Sequence, residues 1–344
     1  MAMQETRVTL SKRRIALQLA VGASLILVLV YFVGATDIAS EIWKVNYWIY
    51  FFAFIIFTLS YVLYTFSWMV MLRVAEIRLR FLEAFGIVWF SLCLDLLIPT
   101  GNLTGELARV AVTAKRSGSD FGKSLASVGV HKIMSLGSFL GGAFLGFLYV
   151  LVNFNLPVEI IALVSILLTG STLPIIFLLL IIFDERDTVR FVKMVFRFLR
   201  RVGKRWLDRI NRYENSLIST LDSFHRNLRV LAVNRRSLLA SALLSVCSSV
   251  LNILVVYFVF LSLGAHVHIL TLLAVFSVAL MIQFVPIGLP GMLGLVEMAM
   301  TGLFTALGVT LNVSATATLL TRVIVFWVPL AVGMVVSYWF LKEV

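Results

Sequence analysis

Apolar residues fall into long uninterrupted runs, roughly 15–35, 47–72, 124–152, 158–183, 238–263 and 315–341. Two further stretches, 81–110 and 270–306, are equally apolar but broken by proline and glycine. A run of about 20 apolar residues is what a helix needs to cross the hydrocarbon of a bilayer. The pattern therefore predicts an all-α polytopic membrane protein with about seven transmembrane helices. The broken stretches predict two re-entrant helical hairpins. Each turns back at a Pro/Gly segment, and non-helical backbone survives at membrane depth only where protein buries it or it lines a wet cavity.

Charge gives the orientation. Lys12, Arg13 and Arg14 precede the first run, and Arg73, Arg78 and Arg80 follow the second, which puts the N-terminus in the cytoplasm by the positive-inside rule. Val33-Gly34-Ala35 resembles a weak cleavage site, but the run before it is longer than a signal-peptide core and reads as a retained anchor. If 81–98 crossed alone, Lys115, Arg116 and Lys123 would face outward, so 81–110 is read as entering and leaving on the cytoplasmic side. The segment 184–236 holds 14 of the 29 basic residues against six acidic ones and is also cytoplasmic by charge, as is the C-terminus.

Within that segment Phe191, Val195, Leu199, Val202, Trp206, Ile210, Tyr213, Leu217, Leu221, Phe224 and Leu228 recur at spacings of three and four. They stand opposite Arg190, Lys193, Arg197, Arg201, Lys204 and Arg205. This predicts an amphipathic helix or helix pair, lying in the membrane interface or packed on the protein's own cytoplasmic face.

A shift of 191 positions lays 47–72 on 238–263, the first broken stretch on the second, and 124–152 on 315–343. Pro99 then meets Pro290, Glu106 meets Glu297 and His131 meets Arg322. The chain is thus read as one integral membrane domain, 1–344, with two repeats of inverted topology. The first is 47–152 with its hairpin at 81–110, and the second is 238–343 with its hairpin at 270–306. Inverted repeats with interrupted helices in matching places point to a transport site near the membrane midplane.

Composition excludes the soluble classes. The 344 residues are 61% apolar and 13% charged, with a mean hydropathy of +1.02; soluble domains run to about 25% charged. The net charge of +12 fits cytoplasmic loops and anionic lipid heads, not nucleic acid. Cys93 and Cys247 both lie in apolar runs, so they read as small buried hydrophobes, with neither a disulfide framework nor a thiolate metal site.

Candidate chemistry sits in the broken stretches. The first reads Pro99-Thr-Gly101-Asn-Leu-Thr-Gly105-Glu106-Leu-Ala-Arg109, the second Pro286-Ile-Gly-Leu-Pro290-Gly291-Met-Leu-Gly294-Leu-Val-Glu297. Pro99, Gly101, Gly105, Pro286, Pro290, Gly291 and Gly294 mark the turns. Each turn opens a new helix whose free N–H groups suit a phosphate or carboxylate. An ionised side chain at membrane depth costs at least about 2.5–3.5 kcal/mol, so Glu106, Arg109, His131, Lys132, Glu297 and Arg322 need partners or water. They are the candidate substrate-binding residues, with Asp95 and Gln283 behind them. The plain structural alternative pairs Glu106 with Lys132 or Arg109, and Glu297 with Arg322, locking hairpin to helix.

Other strings carry less. Gly118 to Ser124 is one residue short of a phosphate loop and follows no strand. His266 and His268 lack a third ligand for a metal. Gly137-x-x-x-Gly141 and Gly142-x-x-x-Gly146 predict close helix packing. Asn102-Leu-Thr and Asn312-Val-Ser match a glycosylation pattern, the first in membrane by this topology. No catalytic residues, cofactor or metal are expected.

The motifs at 99–109 and 290–297, with Leu-Leu-x-Arg-x-x-x-Phe-x-x-Pro-x-x-x-Gly at 319–333, resemble the lysylphosphatidylglycerol synthase transmembrane region family. That family includes the flippase half of the multiple peptide resistance factor. The resemblance implies two inverted repeats, each with a re-entrant hairpin, around a lipid head-group cavity, and transfers a head-group role to Glu106, Arg109, Glu297 and Arg322. The chain departs from the family at His131-Lys132, where an acidic-Arg pair is usual. Lysine keeps the charge but not the bidentate fork. The expected activity is translocation of a phosphate-bearing lipid, phospholipid or polyisoprenyl phosphate, by a non-enzymatic transporter of a prokaryotic plasma membrane. The expected ligands are membrane lipids with anionic head groups. The alternative is a membrane partner of a lipid-modifying glycosyltransferase or synthase.

Overall fold

The computed structural model describes residues 12–101, 103–155, 157–183, 185–202, 207–285 and 288–342. Their secondary structure is helical throughout: α1 (Lys12–Val33), α2 (Ala35–Trp43), α3 (Tyr47–Val74), α4 (Phe81–Leu97), α5 (Leu103–Ser117), α6 (Phe121–Asn153), α7 (Val158–Phe183), α8 (Glu185–Val202), α9 (Leu207–Val233), α10 (Arg235–Ser262), α11 (Ile269–Gln283), α12 (Leu295–Ala306), α13 (Leu311–Arg322) and α14 (Val328–Lys342). Among the described residues, α3, α6, α10 and the continuous α13–α14 rod are long and apolar enough to cross a membrane. A fifth span is possible by length through α1 and α2, which bend by 84° at Gly34. The protein is an all-α, multi-pass membrane protein.

Polar residues at the loop ends start the helices. Asn46 Oδ1 accepts from the N–H groups of Trp48 and Ile49, and Asp120 Oδ2 from those of Gly122 and Lys123. Such caps satisfy donors that the first helical turn leaves free. Asp120 thereby explains the Gly118–Ser124 string: it is the turn that joins α5 to α6. His268 likewise caps α11 and stacks on Tyr149 at 4.6 Å.

α3 and α10 form the centre of the molecule and run antiparallel. The Asn46 N–H donates to the Ser262 carbonyl, Phe52 meets Phe258 edge to face, Ser248 Oγ donates to the Ser60 carbonyl, and Ser67 Oγ to that of Ser241. One partner number rises as the other falls. Small serines at these crossings let the backbones approach closely. One buried cluster gathers Phe57, Val256, Phe260, Leu272 and Phe304 around this axis, and another gathers Trp68, Met71, Ile87 and Val128.

Each broken stretch is a helix, a break and a second helix. α4 has 17 residues and α5 has 15, and α11 and α12 have 15 and 12. At 1.5 Å per residue none exceeds about 26 Å, short of the hydrocarbon thickness. Pro99 and Gly101 lie in the break between α4 and α5; Pro290 and Gly291 form a single tight turn, and Gly294 precedes α12. Pro286 lies outside the described residues. The two breaks touch: Gly101 has φ +66°, and a Cβ there would stand 2.7 Å from the Phe284 carbonyl oxygen.

Two expectations change, one element is new and one open alternative is decided. α2 follows the first span at a steep angle and was not legible as a separate element. Cys93 is buried, but Cys247 is exposed on the outside of α10. Of the glycine pairs in α6, only Gly142 and Gly146 pack on a helix, α11, with a Gly146 Cβ placed 2.6 Å from the Ala274 nitrogen. Gly137 and Gly141 meet nothing within 4 Å. The basic segment is the expected helix pair, α8 and α9, and for α9 the structure decides between the two placements expected. α9 buries Phe224 and Leu228 among Trp68, Met71 and Ala126, so it packs on the protein and not in lipid. Trp206, Lys204 and Arg205 lie outside the described residues. Arg229 of α9 pairs with Glu185 of α8.

Candidate functional site

The first hairpin builds its own capping network before it meets any ligand. Asp95, in the last turn of α4, accepts the Gly105 N–H at 2.7 Å, and the Thr100 hydroxyl accepts that of Thr104. A Cβ at Gly105 would stand 2.2 Å from the Ser91 carbonyl oxygen, so only glycine lets α5 lie this close to α4. The expectation that the start of α5 offers free N–H groups to a phosphate is narrowed here. Two of those donors are already taken by side chains of the same hairpin. In the second hairpin Glu297 Oε2 likewise accepts the Gly294 N–H at 2.7 Å.

Four of the six candidate residues converge between α5 and α6. Lys132 Nζ donates to Glu106 Oε1 at 2.9 Å, while Arg109 lies 3.4 Å from Glu106 Oε2. Arg109 is packed among aromatic and polar side chains through its two terminal nitrogens, while its Nε has no hydrogen-bond partner among the described residues. It stacks on Trp68 with 3.8 Å to the ring centroid and donates to His131 Nδ1 at 3.3 Å and to the Tyr64 hydroxyl at 3.4 Å. Its side chain is 1% exposed, that of Lys132 27%. Arg109 is therefore the fixed cation, and Lys132 the one that reaches open space. His131 is fully buried, edge-on to Tyr64 at 4.5 Å, and serves Arg109 and not the cavity.

The other two candidates meet in the second half. Arg322 Nε donates to Glu297 Oε1 at 2.6 Å and its terminal nitrogen to the Gly291 carbonyl at 2.8 Å, with Phe326 under the guanidinium at 4.5 Å. The side chains are 3% and 1% exposed. Arg322 ends α13, where residues 323–327 form a wider π-type turn ahead of Pro329. A proline has no N–H to give back to that turn, and such bulges re-aim side chains at sites. The repeat alignment places Met300 opposite Arg109 and Val323 opposite Lys132. The second acid thus has one cation where the first has two.

Both halves face a cavity of about 670 Å³. Glu106, Arg109, Lys132 and Asp95 line one part and Arg322 another. Ser135 and Ser138 of α6, Ser245, Ser249 and Asn252 of α10, and Ser277 and Gln283 of α11 lie between, with Leu145, Leu270 and Leu273 forming apolar wall. Its volume lies in the range of sites that bury a small ligand. Among the described residues no group of three or more His, Cys, Asp or Glu side chains is placed to hold a metal. Sequence reasoning missed Tyr64 and Trp68, whose i, i+4 spacing on α3 was the available signal, and the hydroxyl-bearing face of α10.

A family model described as the lysylphosphatidylglycerol synthase TM region matches residues 15–333. A UPF0104 membrane protein of Pyrococcus horikoshii is 24% identical over 322 residues, 92% of this chain and 94% of that one. One from Methanothermobacter thermautotrophicus is 24% identical over 327 residues, 94% of each. No solved structure matches. With the match spanning both hairpins, both acid–cation pairs and the helices that carry them, the chain belongs to the lysylphosphatidylglycerol synthase TM region family.

Proposed function

We propose that this protein is a lipid translocase, moving a phosphate-bearing lipid between the leaflets of a plasma membrane. In this reading the two halves are inverted repeats, α4–α5 and α11–α12 are re-entrant from opposite sides, and the basic α8–α9 segment lies in the cytoplasm. The antiparallel α3 and α10, the matching order of elements and the short hairpin helices support it. The observation that carries it is the Glu106–Lys132 pair, opening into a cavity made by both halves.

An arriving phosphate competes with Glu106 for Lys132. Arg109, clamped by Trp68, Tyr64 and His131, stays in place and adds field without moving. The carboxylate keeps the cation neutralised while the site is empty, which a charge at membrane depth requires. Acyl or prenyl chains remain in lipid beside the apolar wall. The family membership supports a lipid-related role; the translocation step rests on the site.

The test is leaflet exchange. Purified protein is reconstituted into liposomes with fluorescent phospholipids or a fluorescent polyprenyl phosphate, and the outer leaflet is quenched over time. Wild type moves one lipid class, and Lys132→Met moves it at least ten-fold more slowly while remaining folded. Equal rates for folded Lys132→Met and wild type refute the proposal.

A further inference from the structure

The α8–α9 pair stands outside the cavity, and its two helices have different surroundings. α8 begins at Glu185, two residues after the apolar α7 ends, and α9 ends at Val233, two residues before α10 begins. The Glu185–Arg229 ion pair ties these two ends together. α10 is long and apolar enough to cross the membrane and opens on Arg235 and Arg236. Basic residues flank such a helix at the head groups, so the base of the pair lies at the membrane boundary. α9 turns Phe224 and Leu228 into the protein; α8 is the outer helix.

α8 carries two stripes set one residue apart. Glu185, Val189, Val192 and Phe196, at spacings of four, three and four, are half-buried, and Thr188 beside them is buried. Arg186, Arg190, Lys193 and Arg197 repeat that spacing one place on, and all four are exposed. They form a strip of positive charge about three turns long. Glu185 belongs to the inner stripe and is engaged by Arg229, and among the described residues Lys193 and Arg197 have no ion-pair partner. Met194, 57% exposed, adjoins the strip on the face opposite Val189 and Val192, and Val195 is 39% exposed. Cations beside bare apolar side chains, on a helix whose start is fixed at the membrane boundary, are the composition of an interfacial helix. An acidic protein matches the charge alone. A bilayer with anionic head groups supplies the phosphates and the apolar layer together.

We infer that the outer face of α8 docks on the anionic surface of the bilayer that holds the protein, with Arg186, Arg190, Lys193 and Arg197 on lipid phosphates and Met194 in the head-group boundary. α9 is then the protein-bound half of the basic segment and α8 the lipid-bound half. The surface reads charge, not one head group, and it does not depend on translocation through the cavity.

The test places a reporter on that face. Full-length protein with Met194→Cys and Cys247→Ser is labelled at position 194 with a polarity-sensitive fluorophore, Cys93 being buried. It is reconstituted into nanodiscs of phosphatidylcholine, alone or with one third phosphatidylglycerol or phosphatidylserine. Emission shifts to the blue in both anionic discs and not in the neutral one, and molar salt, which screens surface charge, reverses the shift. Each cation removed lowers the ratio of docked to undocked α8 about five-fold, so Lys193→Gln with Arg197→Gln lowers it about 25-fold and abolishes the shift. Both side chains are exposed, and an unchanged melting temperature checks the fold. In unlabelled wild type, hydrogen exchange across 186–197 is slower in anionic than in neutral discs, which repeats the result without the label. Equal signals in neutral and anionic discs, a response to one anionic lipid alone, or a shift that survives the double substitution overturns the inference. So does a label that stays in water in every lipid, the result expected if the strip serves a soluble acidic partner. Failure of leaflet exchange bears on the translocase reading and leaves the docking of α8 intact.

Discussion

Glu297→Gln strands a charge. In the native protein Arg322 is 3% exposed and its partners are the Glu297 carboxylate at 2.6 Å, the Gly291 carbonyl and the Phe326 ring. The substitution leaves a full positive charge facing a neutral amide oxygen, one carbonyl and one ring, with no counter-charge. Removing one member of a buried pair costs about 3–5 kcal/mol, and an unpaired charge at the centre of a membrane helix about 2.5–3.5 kcal/mol on insertion scales. Both routes give about 3 kcal/mol. Glu106→Gln is the matched control. Its two cations keep other support: Lys132 faces the cavity, and Arg109 retains Trp68, Tyr64 and His131. Of the two ion pairs it breaks, the one with Lys132, whose side chain is 27% exposed, opens on the cavity, and the Arg109 guanidinium keeps a ring, a hydroxyl and an imidazole, so the loss should be smaller than that of the closed second pair. Thermal unfolding in detergent, followed by tryptophan fluorescence, should show Glu297→Gln melting several degrees below Glu106→Gln. Adding Arg322→Met to Glu297→Gln should recover most of the loss, because removing both charges of a buried pair is close to neutral. Equal losses for the two glutamates, or no recovery in the double variant, would refute the reasoning that the second pair is closed and the first open.

Gly105→Ala drives a methyl into the Ser91 carbonyl and the Asp95 carboxylate; overpacking of this kind costs about 1–3 kcal/mol, and the loss should appear as earlier protease cleavage between α4 and α5. In α6, Gly146→Ala should destabilise by a similar amount against α11 while Gly137→Ala, with nothing within 4 Å, leaves the melting temperature unchanged. Phe224→Ala removes a ring that is 6% exposed beneath α9. At about 3–5 kcal/mol for such a truncation, hydrogen exchange across 214–233 should accelerate well before the rest of the chain responds.

The spans were legible because one physical requirement dominates them. A helix in hydrocarbon must be apolar for its whole crossing, and α3, α6 and α10 begin and end within three residues of the apolar runs. The pairings Glu106–Lys132 and Glu297–Arg322 were legible for a related reason: a charge at that depth needs a partner, and few opposite charges were within reach of each. What the pattern could not give was which donors were already used. Asp95 and Glu297 cap the hairpin helices that looked open to an anion, and nothing in local sequence separates a carboxylate facing a ligand from one facing the backbone ten or three residues away. The packing of α9 was hidden in the same way. An aromatic stripe such as Phe224 and Leu228 suits lipid or protein equally, and only the tertiary position of Trp68 and Met71 decides between them.

On the proposed repeat, the two hairpins fill their equivalent places unequally. Pro99 and Pro290, Glu106 and Glu297, and His131 and Arg322 hold equivalent places, so each half retains an acid at the start of its second hairpin helix and a nitrogen-bearing side chain on the helix after it. In the second half these two groups, with the Gly291 carbonyl and the Gly294 N–H, satisfy one another. Burial of this pair is thereby tolerable. In the first half histidine takes the arginine's place, a new arginine enters at 109 and a lysine at 132, and the acid now faces two cations. Arg109 uses up the histidine and two aromatic rings, which leaves Lys132 as the cation whose only ion-pair partner among the described residues is a carboxylate it can exchange. A site that is to accept an anion at membrane depth and release it needs that arrangement: a cation neutralised when empty, free to change partners, and set beside a second charge that does not move.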